Sequence, residues 1–541
     1  MEKRGNLPLG NQVFPEIRQL GMLYVDKTQY IARFVENNLK YVFLSRPHRF
    51  GKTLFASTLQ TYFEGDKAPF QGLYLEQAEE ALAQQQQREP WQAYPILRFD
   101  FNAEYYDSVE ALTNSIHGYL AQYESIYGGN NSDRSPAGRF KALIHSAYAK
   151  TGKQVVVIID EYDKPLLETF ENPQLNQTYR AILKSFYEIL KQSDQYLRFA
   201  FLTGITKFNK LALFSGLNNL KDITLLDGYN AICGFTEQEL SDYFLSEITQ
   251  LAEANNQTVD EARQKLKKNY DGYRFSQNGV NVYNPFSLVN VLSDRAYRFY
   301  WFETATPAFL ITYLKQINYF VPNLQEGVAI DEGALQDFRI GAHNPLPILY
   351  QAGYLTIESY EPEDMIYRLR FPNEEVRYGF LKVLLCGYYP TSVVDAAVHT
   401  IAFRNEILRG DVDTFMKHLE GIIAGIPYGE FSDQQVNYRE RDGQVAIFLI
   451  FKLLGHFIQT EVHNHIGRAD AVVHTPHIIY IFEFKLDGTG TPEDALQQIE
   501  VRGYAKPYQG DPKEVVCVGV AFSKTEKNIS SWAMSRRVGG R

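Results

Sequence analysis

Two short stretches of this chain set residue types that handle phosphate at fixed spacing. The first is Ser45-Arg46-Pro47-His48-Arg49-Phe50-Gly51-Lys52-Thr53. Gly-Lys-Thr at a helix start offers free backbone N–H groups and a positive dipole to an anion. Lys52 can reach the β and γ phosphates of a nucleotide, the Thr53 hydroxyl can ligate Mg²⁺, and Arg49, Phe50 and Gly51 complete the cradle. The general phosphate-loop pattern places glycine six positions before that lysine, and Arg46 stands there instead. A chance Gly-Lys-Thr is the plain alternative for the loop alone. Its partner is Val155-Val156-Val157-Ile158-Ile159-Asp160-Glu161, an apolar run ending in two acids. Buried carboxylates are costly unless something cationic meets them. Asp160 can hold Mg²⁺ through water, and Glu161 can polarise the water that attacks a phosphoanhydride. A strand followed by a helix cap is the bland reading of the acids. Loop and acids together read as an ATP site.

The second stretch is Gly467-Arg468-Ala469-Asp470 followed by Ile478-Ile479-Tyr480-Ile481-Phe482-Glu483-Phe484-Lys485. Side chains alternate across a strand, so Glu483 and Lys485 share a face while Phe484 points into the core. If the two segments pair as a hairpin, Asp470 lies beside Glu483. Carboxylates that close repel unless a divalent cation, Mg²⁺ or Mn²⁺, sits between them. Lys485 can then orient a water or stabilise charge on a scissile phosphate, which is the chemistry of a metal-dependent phosphodiesterase. An edge strand with a charged outer face is the alternative. Glu440 could supply a third carboxylate. Gln497, Gln498 and Tyr504 follow and either face this site or belong to a solvated helix face and the core. His463, His465, His474 and His477 read as exposed hairpin histidines rather than as a zinc site, which needs ligands converging on one point.

The elements that must position these residues follow from periodicity. Up to about residue 230 strands and helices alternate: strands Tyr41–Ser45, Ile96–Phe101, Val155–Asp160 and Phe199–Thr203, and helices Lys52–Phe63, Ala111–Tyr127 and Tyr179–Gln192. Such alternation predicts a mostly parallel sheet covered on both faces. The strand Phe199–Thr203 runs into Gly204-Ile205-Thr206, which places Thr203 or Thr206 to sense a γ-phosphate or makes a plain turn. Tyr24-Val25-Asp26-Lys27-Thr28, just before the first strand, is either a helix cap or a nucleoside contact. Helical runs are expected at Thr236–Asn255 and Val259–Tyr270, then helices with short strands at Tyr354–Ser359 and Tyr367–Phe371. From about 400 the expected order is helix Arg439–Leu454, strands Gln459–His463, Ala469–Val473 and Ile478–Lys485, helix Pro492–Ala505 and a last strand Glu514–Ala521.

Composition bounds the rest. With 541 residues, 45% hydrophobic and 22% charged, the chain has the make-up of several ordinary globular domains. A net charge of -10 argues against a surface that coats nucleic acid throughout, though not against a local basic groove. Lys513, Lys524, Lys527, Arg536, Arg537 and Arg541 near the end read as a solvated tail. The three cysteines, Cys233, Cys386 and Cys517, form no CxxC pair and read as free thiols of a reducing compartment. Neither a signal peptide nor a run of about 20 apolar residues is present, so no membrane partner and a cytoplasmic location are expected.

The segments Tyr24–Thr28, Arg46–Thr53, Asp160–Asp163 and Thr203–Phe208 together resemble the AAA-ATPase-like proteins found widely in gut and other anaerobic bacteria. Asp470, Glu483-Phe484-Lys485, Gln498 and Tyr504 resemble the PD-(D/E)XK nuclease superfamily domain usually fused to them. His48 stands where those relatives carry arginine, whereas Arg46 follows their pattern. The resemblance implies an α/β multidomain chain: a P-loop NTPase of AAA or STAND type at 1–233, a helical lid at 234–300, a helical or winged linker domain at 301–400, and a restriction-endonuclease-like α/β domain at 401–541. The function expected is an ATP-binding, ATP-hydrolysing protein coupled to a Mg²⁺-dependent DNA or RNA nuclease, in defence or mobile-element biology. The alternative is an ATP-dependent switch or nucleic-acid-binding scaffold that does not cut. ATP-dependent assembly of identical subunits would need an arginine from a neighbour, for which Arg198 and Arg274 are candidates.

Overall fold

Five strands form the sheet that carries the phosphate loop: β1 (Tyr41–Ser45), β2 (Ile96–Asp100), β3 (Val155–Asp160), β4 (Leu197–Gly204) and β5 (Lys221–Asp222). They lie in the order β2-β3-β4-β1-β5, and every pairing is parallel. β1 and β3 are buried along their whole length, as continuous apolar strands covered on both faces must be. The computed structural model describes residues 6–129, 133–207, 214, 219–301, 310, 313–314, 327–336, 344–388, 393–424, 450–451, 459–462, 470–486, 490–508, 511–523, 525 and 528–537.

The helices on this sheet include α1 (Lys52–Phe63), α2 (Val109–Tyr127), α3 (Pro136–Thr151) and α4 (Pro173–Gln192). Helix α3 is absent from the sequence reading, although its punctuation is plain. Ser135 caps it by accepting from the Gly138 N–H at 3.1 Å, Pro136 opens it, and Gly152 ends it in the left-handed conformation. The single helical run expected at Thr236–Asn255 is broken at Phe244 into α5 (Glu237–Tyr243) and α6 (Leu245–Ala254). These pack with α7 (Val259–Tyr270) and α8 (Pro285–Asp294) around Leu240, Ile248, Leu266 and Leu288.

The chain divides into two units, residues 1–305 with 327–375 and residues 306–326 with 376–541. The first therefore includes a three-stranded antiparallel sheet, β8 (Val328–Asp331), β10 (Ile366–Arg370) and β9 (Thr356–Glu361), and the short helix α9 (Leu346–Gln351). A two-stranded pair, β6 (Phe235–Thr236) with β7 (Val282–Tyr283), precedes it.

The second unit carries a mixed sheet in the order β11 (Gln459–Val462), β12 (Ala471–His474), β13 (Ile478–Leu486), β14 (Glu514–Ser523) and β15 (Asn528–Arg537). β11, β12 and β13 form an antiparallel meander, β14 runs parallel to β13, and β15 returns antiparallel. β15 corrects the expected solvated tail. Arg536 lies in this strand, donating to the Gly410 carbonyl at 2.9 Å and pairing with Glu514 at 3.3 Å. Helix α10 (Pro492–Val501) packs on the face of β13 that carries Ile479 and Ile481, with Ile499 between them. On the other face Phe482 meets Phe415 and Phe451 with ring centroids 5.9 and 4.9 Å apart. The expected helix Arg439–Leu454, apart from residues 450 and 451, lies outside the described residues, as do Phe208, His463, His465, Lys524, Lys527 and Arg541. Cys233 is a buried free thiol, and Cys517 is buried in β14. Among the described residues no helix is long and apolar enough to cross a membrane.

Candidate functional site

The phosphate loop leaves β1 and turns into α1 through Gly51, whose φ of +92° is a left-handed conformation that glycine adopts without steric cost. Gly51 brings no side chain to cap α1, so the helix's first N–H groups remain free to face an anion. Lys52 is 3% exposed and its Nζ lies 3.0 Å from Glu161 Oε1, with the Arg46 and Pro47 carbonyls accepting at 3.2 and 3.3 Å. Thr53, one residue on, is half-buried.

The two acids sit where β3 ends. Burial pushes Asp160 up to about 7, and Glu161 and Asp100 add to the rise while Lys52 and the Thr53 hydroxyl oppose it. Burial also pushes Glu161 up, but Lys52 and His48 more than offset that and hold its carboxyl below the usual range. Asp160 Oδ2 and Glu161 Oε2 are buried without a hydrogen-bond partner. Arg98 of β2 approaches Asp160 Oδ2 at 3.8 Å, a neighbour that sequence reasoning missed because the parallel register, Asp100 opposite Asp160, brings it there.

Arg46, the residue in place of the first glycine, is a buried anchor. Its guanidinium donates to the Thr224 carbonyl at 2.9 Å and the Tyr229 carbonyl at 3.0 Å, and stacks 4.2 Å over Phe275. Arg49 has φ +63° and lies 3.8 Å over the Phe286 ring. Phe50 is buried edge-on against Tyr273 and Phe275. Burial lowers His48 to about 4, and Lys52 and Arg49 push the same way against Glu161.

Thr203 is fully buried with its hydroxyl unpartnered, opposite Leu44 of β1. Thr206 instead donates its N–H and hydroxyl to Asp163 at 2.6 and 2.5 Å. Neither Asp26 nor Thr28 caps the helix Gln29–Glu36 through its side chain; Asp26 accepts from the Thr28 N–H at 2.8 Å and from the Tyr74 N–H at 2.7 Å. Tyr24, Val25 and Lys27 line an apolar cleft together with Gly51, Phe55 and Phe235. Of the two arginines weighed for subunit contacts, Arg274 donates to the Ile357 carbonyl at 3.1 Å and Arg198 lies 5.9 Å over Tyr94.

The second site is assembled as the expected hairpin. β12 pairs antiparallel with β13, and the Phe484 N–H donates to Asp470 Oδ2 at 2.8 Å, which sets Asp470 beside Glu483. Glu483 is 4% exposed; burial lifts it to about 7, with Asp470 adding and Lys485 opposing. Burial raises Asp470 too. Lys485 Nζ lies 3.7 Å from Glu483 Oε1, and the Gln498 side-chain amide bridges them, donating to Glu483 and accepting from Lys485. Tyr504 OH lies 3.5 Å from Gln498 Nε2, whereas Gln497 is exposed. Gly519 stands opposite Glu483 in β14, and a Cβ there would lie 2.1 Å from the Pro492 carbonyl, so glycine lets α10 approach and bring Gln498 in. Glu483 Oε2 is buried and unpartnered. Glu440 lies outside the described residues. Among the described residues no group of three or more His, Cys, Asp or Glu side chains converges as a metal cage.

A family model for a predicted AAA-ATPase of the AAA-ATPase-like group matches residues 8–214. A model for the PD-(D/E)XK nuclease superfamily matches residues 439–532. An uncharacterized protein in the vnfD 5'region of Azotobacter chroococcum mcd 1 is 34% identical over 530 residues, covering 97% of this chain and 98% of that protein. Among solved structures, the Aeropyrum pernix ORC2 protein in its ADPNP-ADP complexes aligns with 64% of this chain and 88% of its own at 13% identity. Its TM-score is 0.23. Strands β1 to β4 and the phosphate loop fall within the first match, and Asp470, Glu483 and Lys485 within the second. The chain belongs to the family of AAA-ATPase-like proteins that carry a PD-(D/E)XK nuclease superfamily domain.

Proposed function

We propose that this chain binds and hydrolyses ATP at the Lys52–Glu161 centre and cleaves phosphodiester bonds of DNA or RNA at the Asp470–Glu483–Lys485 centre. One observation carries the reading. Asp160 Oδ2, Glu161 Oε2 and Glu483 Oε2 are buried carboxylate oxygens with no hydrogen-bond partner, and each belongs to an acid beside a basic side chain. Such oxygens are costly to bury unless a cation meets them, so both acid pairs fit a divalent ion. At the first centre Thr53 and Asp160 would hold Mg²⁺, which neutralises charge on the phosphates. The N–H groups at the start of α1 and the Lys52 ammonium bind the phosphates. Glu161, kept ionised beside Lys52, accepts a proton from the attacking water. The apolar cleft beside Gly51 takes the nucleoside.

At the second centre Asp470 and Glu483 would hold Mg²⁺ or Mn²⁺, which polarises the phosphate and lowers the pKa of a bound water. Lys485 stabilises the charge that develops on the scissile phosphate. Gln498 holds Lys485 and Glu483 in register. A nuclease governed by an ATP cycle suits defence or mobile-element biology, the setting proposed here. The test is cleavage of duplex DNA, single-stranded DNA and RNA with Mg²⁺ or Mn²⁺. The reading predicts cutting by the wild type that Asp470→Ala lacks. Equal, background cutting by both on every substrate would leave an ATP-dependent switch or nucleic-acid scaffold instead.

A further inference from the structure

We propose that Gln351 is a positioning residue for ATP hydrolysis, supplied from outside the phosphate-loop sheet; the proposal rests on reading the Lys52–Glu161 centre as an ATPase site. The strap Thr203–Lys207, which continues β4, passes between the loop and the acid strand and is bonded to both. On the loop side the Arg46 N–H donates to the Gly204 carbonyl at 3.1 Å, and the Ser45 hydroxyl donates to the Ile205 carbonyl. On the acid side Asp163 accepts from the Ile205 N–H at 3.2 Å and from the Thr206 N–H at 2.6 Å. Tyr162 OH donates to the Thr206 carbonyl at 2.7 Å. Gly204 permits this fit, because a Cβ there would lie 2.2 Å from Asp163 Oδ1.

The strap's last residue, Lys207, pairs through its ammonium with Asp222 of β5 at 2.9 Å. Lys207 lies beyond the end of β4 and is buried, so its main-chain N–H needs an acceptor. Gln351 Oε1 is that acceptor, at 2.7 Å, from 144 positions along the chain. Gln351 is itself buried, and its Nε2 donates to the Leu335 carbonyl at 3.1 Å. With both ends of the amide engaged, its orientation is fixed and the strap's end is fixed with it. Two residues on, Gly353 at φ +90° packs so closely on Pro47 of the loop that a Cβ would lie 2.7 Å from it. Helix α9 and the turn after it thus reach both the strap and the loop. Gln351 touches no phosphate position; it acts by keeping Thr206, Asp163 and the acid pair in register.

The experiment compares ATP affinity, ATP turnover and thermal midpoint for full-length wild type, Gln351→Met, Gln351→Glu, Gln351→Asn and Lys52→Ala. Methionine keeps the volume and removes both bonds. Glutamic acid, protonated by burial, can still accept from Lys207 and donate to Leu335. Asparagine is one methylene too short. The expected result is a kcat lower by about tenfold or more in Gln351→Met and Gln351→Asn, ATP affinity within about threefold of wild type, and kcat in Gln351→Glu restored to within about threefold. Wild-type kcat in Gln351→Met overturns the proposal. So does parallel loss of affinity and turnover in the Met, Asn and Glu variants, which would mark a purely structural residue. If Gln351→Met does not fold, equal kcat in Gln351→Asn and Gln351→Glu overturns it. Turnover no higher in wild type than in Lys52→Ala overturns the ATPase reading itself, and this proposal with it.

Discussion

The phosphate loop and the β12–β13 hairpin both set a lysine beside two carboxylates, yet they hold the charges differently. Lys52 is almost wholly buried and pairs directly with Glu161 at 3.0 Å. Lys485 stands farther from Glu483, at 3.7 Å, with the Gln498 amide bonded to both. In the first site the two charges meet directly; in the second an amide is bonded to both. Removing one partner of a buried pair leaves an uncompensated charge, whereas losing the bridging amide still leaves Lys485 facing Glu483 at 3.7 Å.

That contrast sets the order of expected effects. Lys52→Ala should abolish ATP binding and destabilise the N-terminal unit by roughly 3–5 kcal/mol, read by denaturant unfolding alongside ATP titration. Wild-type ATP affinity in this variant would break the comparison at its stronger end. Gly519→Ala should displace α10 and cost about 1–3 kcal/mol, because the added Cβ meets main chain rather than a flexible side chain. Unchanged unfolding of the C-terminal unit would show that α10 does not depend on that approach. Gln498→Leu should lower phosphodiester cleavage by about 10- to 100-fold while costing about 1–3 kcal/mol of stability, less than Lys52→Ala. A stability loss as large as that of Lys52→Ala would erase the distinction between the sites. Arg536→Ala, at an exposed pair with Glu514, should cost less than about 1 kcal/mol in the same unfolding experiment.

What the sequence made legible follows the same division. The loop, the acid strand and the hairpin are each contiguous, so local period and residue type expose them: β1, α1 and β3 have the bounds that periodicity predicts. Contacts between distant segments are invisible to that reading. Arg46 looks like a missing glycine until the carbonyls of Thr224 and Tyr229 are seen to take its donors. Asp163 gains its role from the Ile205 and Thr206 donors some forty residues later. β15 was obscured by its composition, since Asn528-Ile529-Ser530-Ser531-Trp532 followed by two arginines near the terminus resembles a solvated tail. Its pairing partner β14 is buried and apolar and supplies the order that the strand's own sequence does not advertise.

Whether the buried Lys52–Glu161 pair is an ATP-hydrolysing centre is decided by phosphate release in Glu161→Gln. Wild type should turn over ATP, and Glu161→Gln should still bind ATP but release phosphate at least about 100-fold more slowly, because the group that takes the proton from water is gone. Equal phosphate release by the two proteins would contradict it.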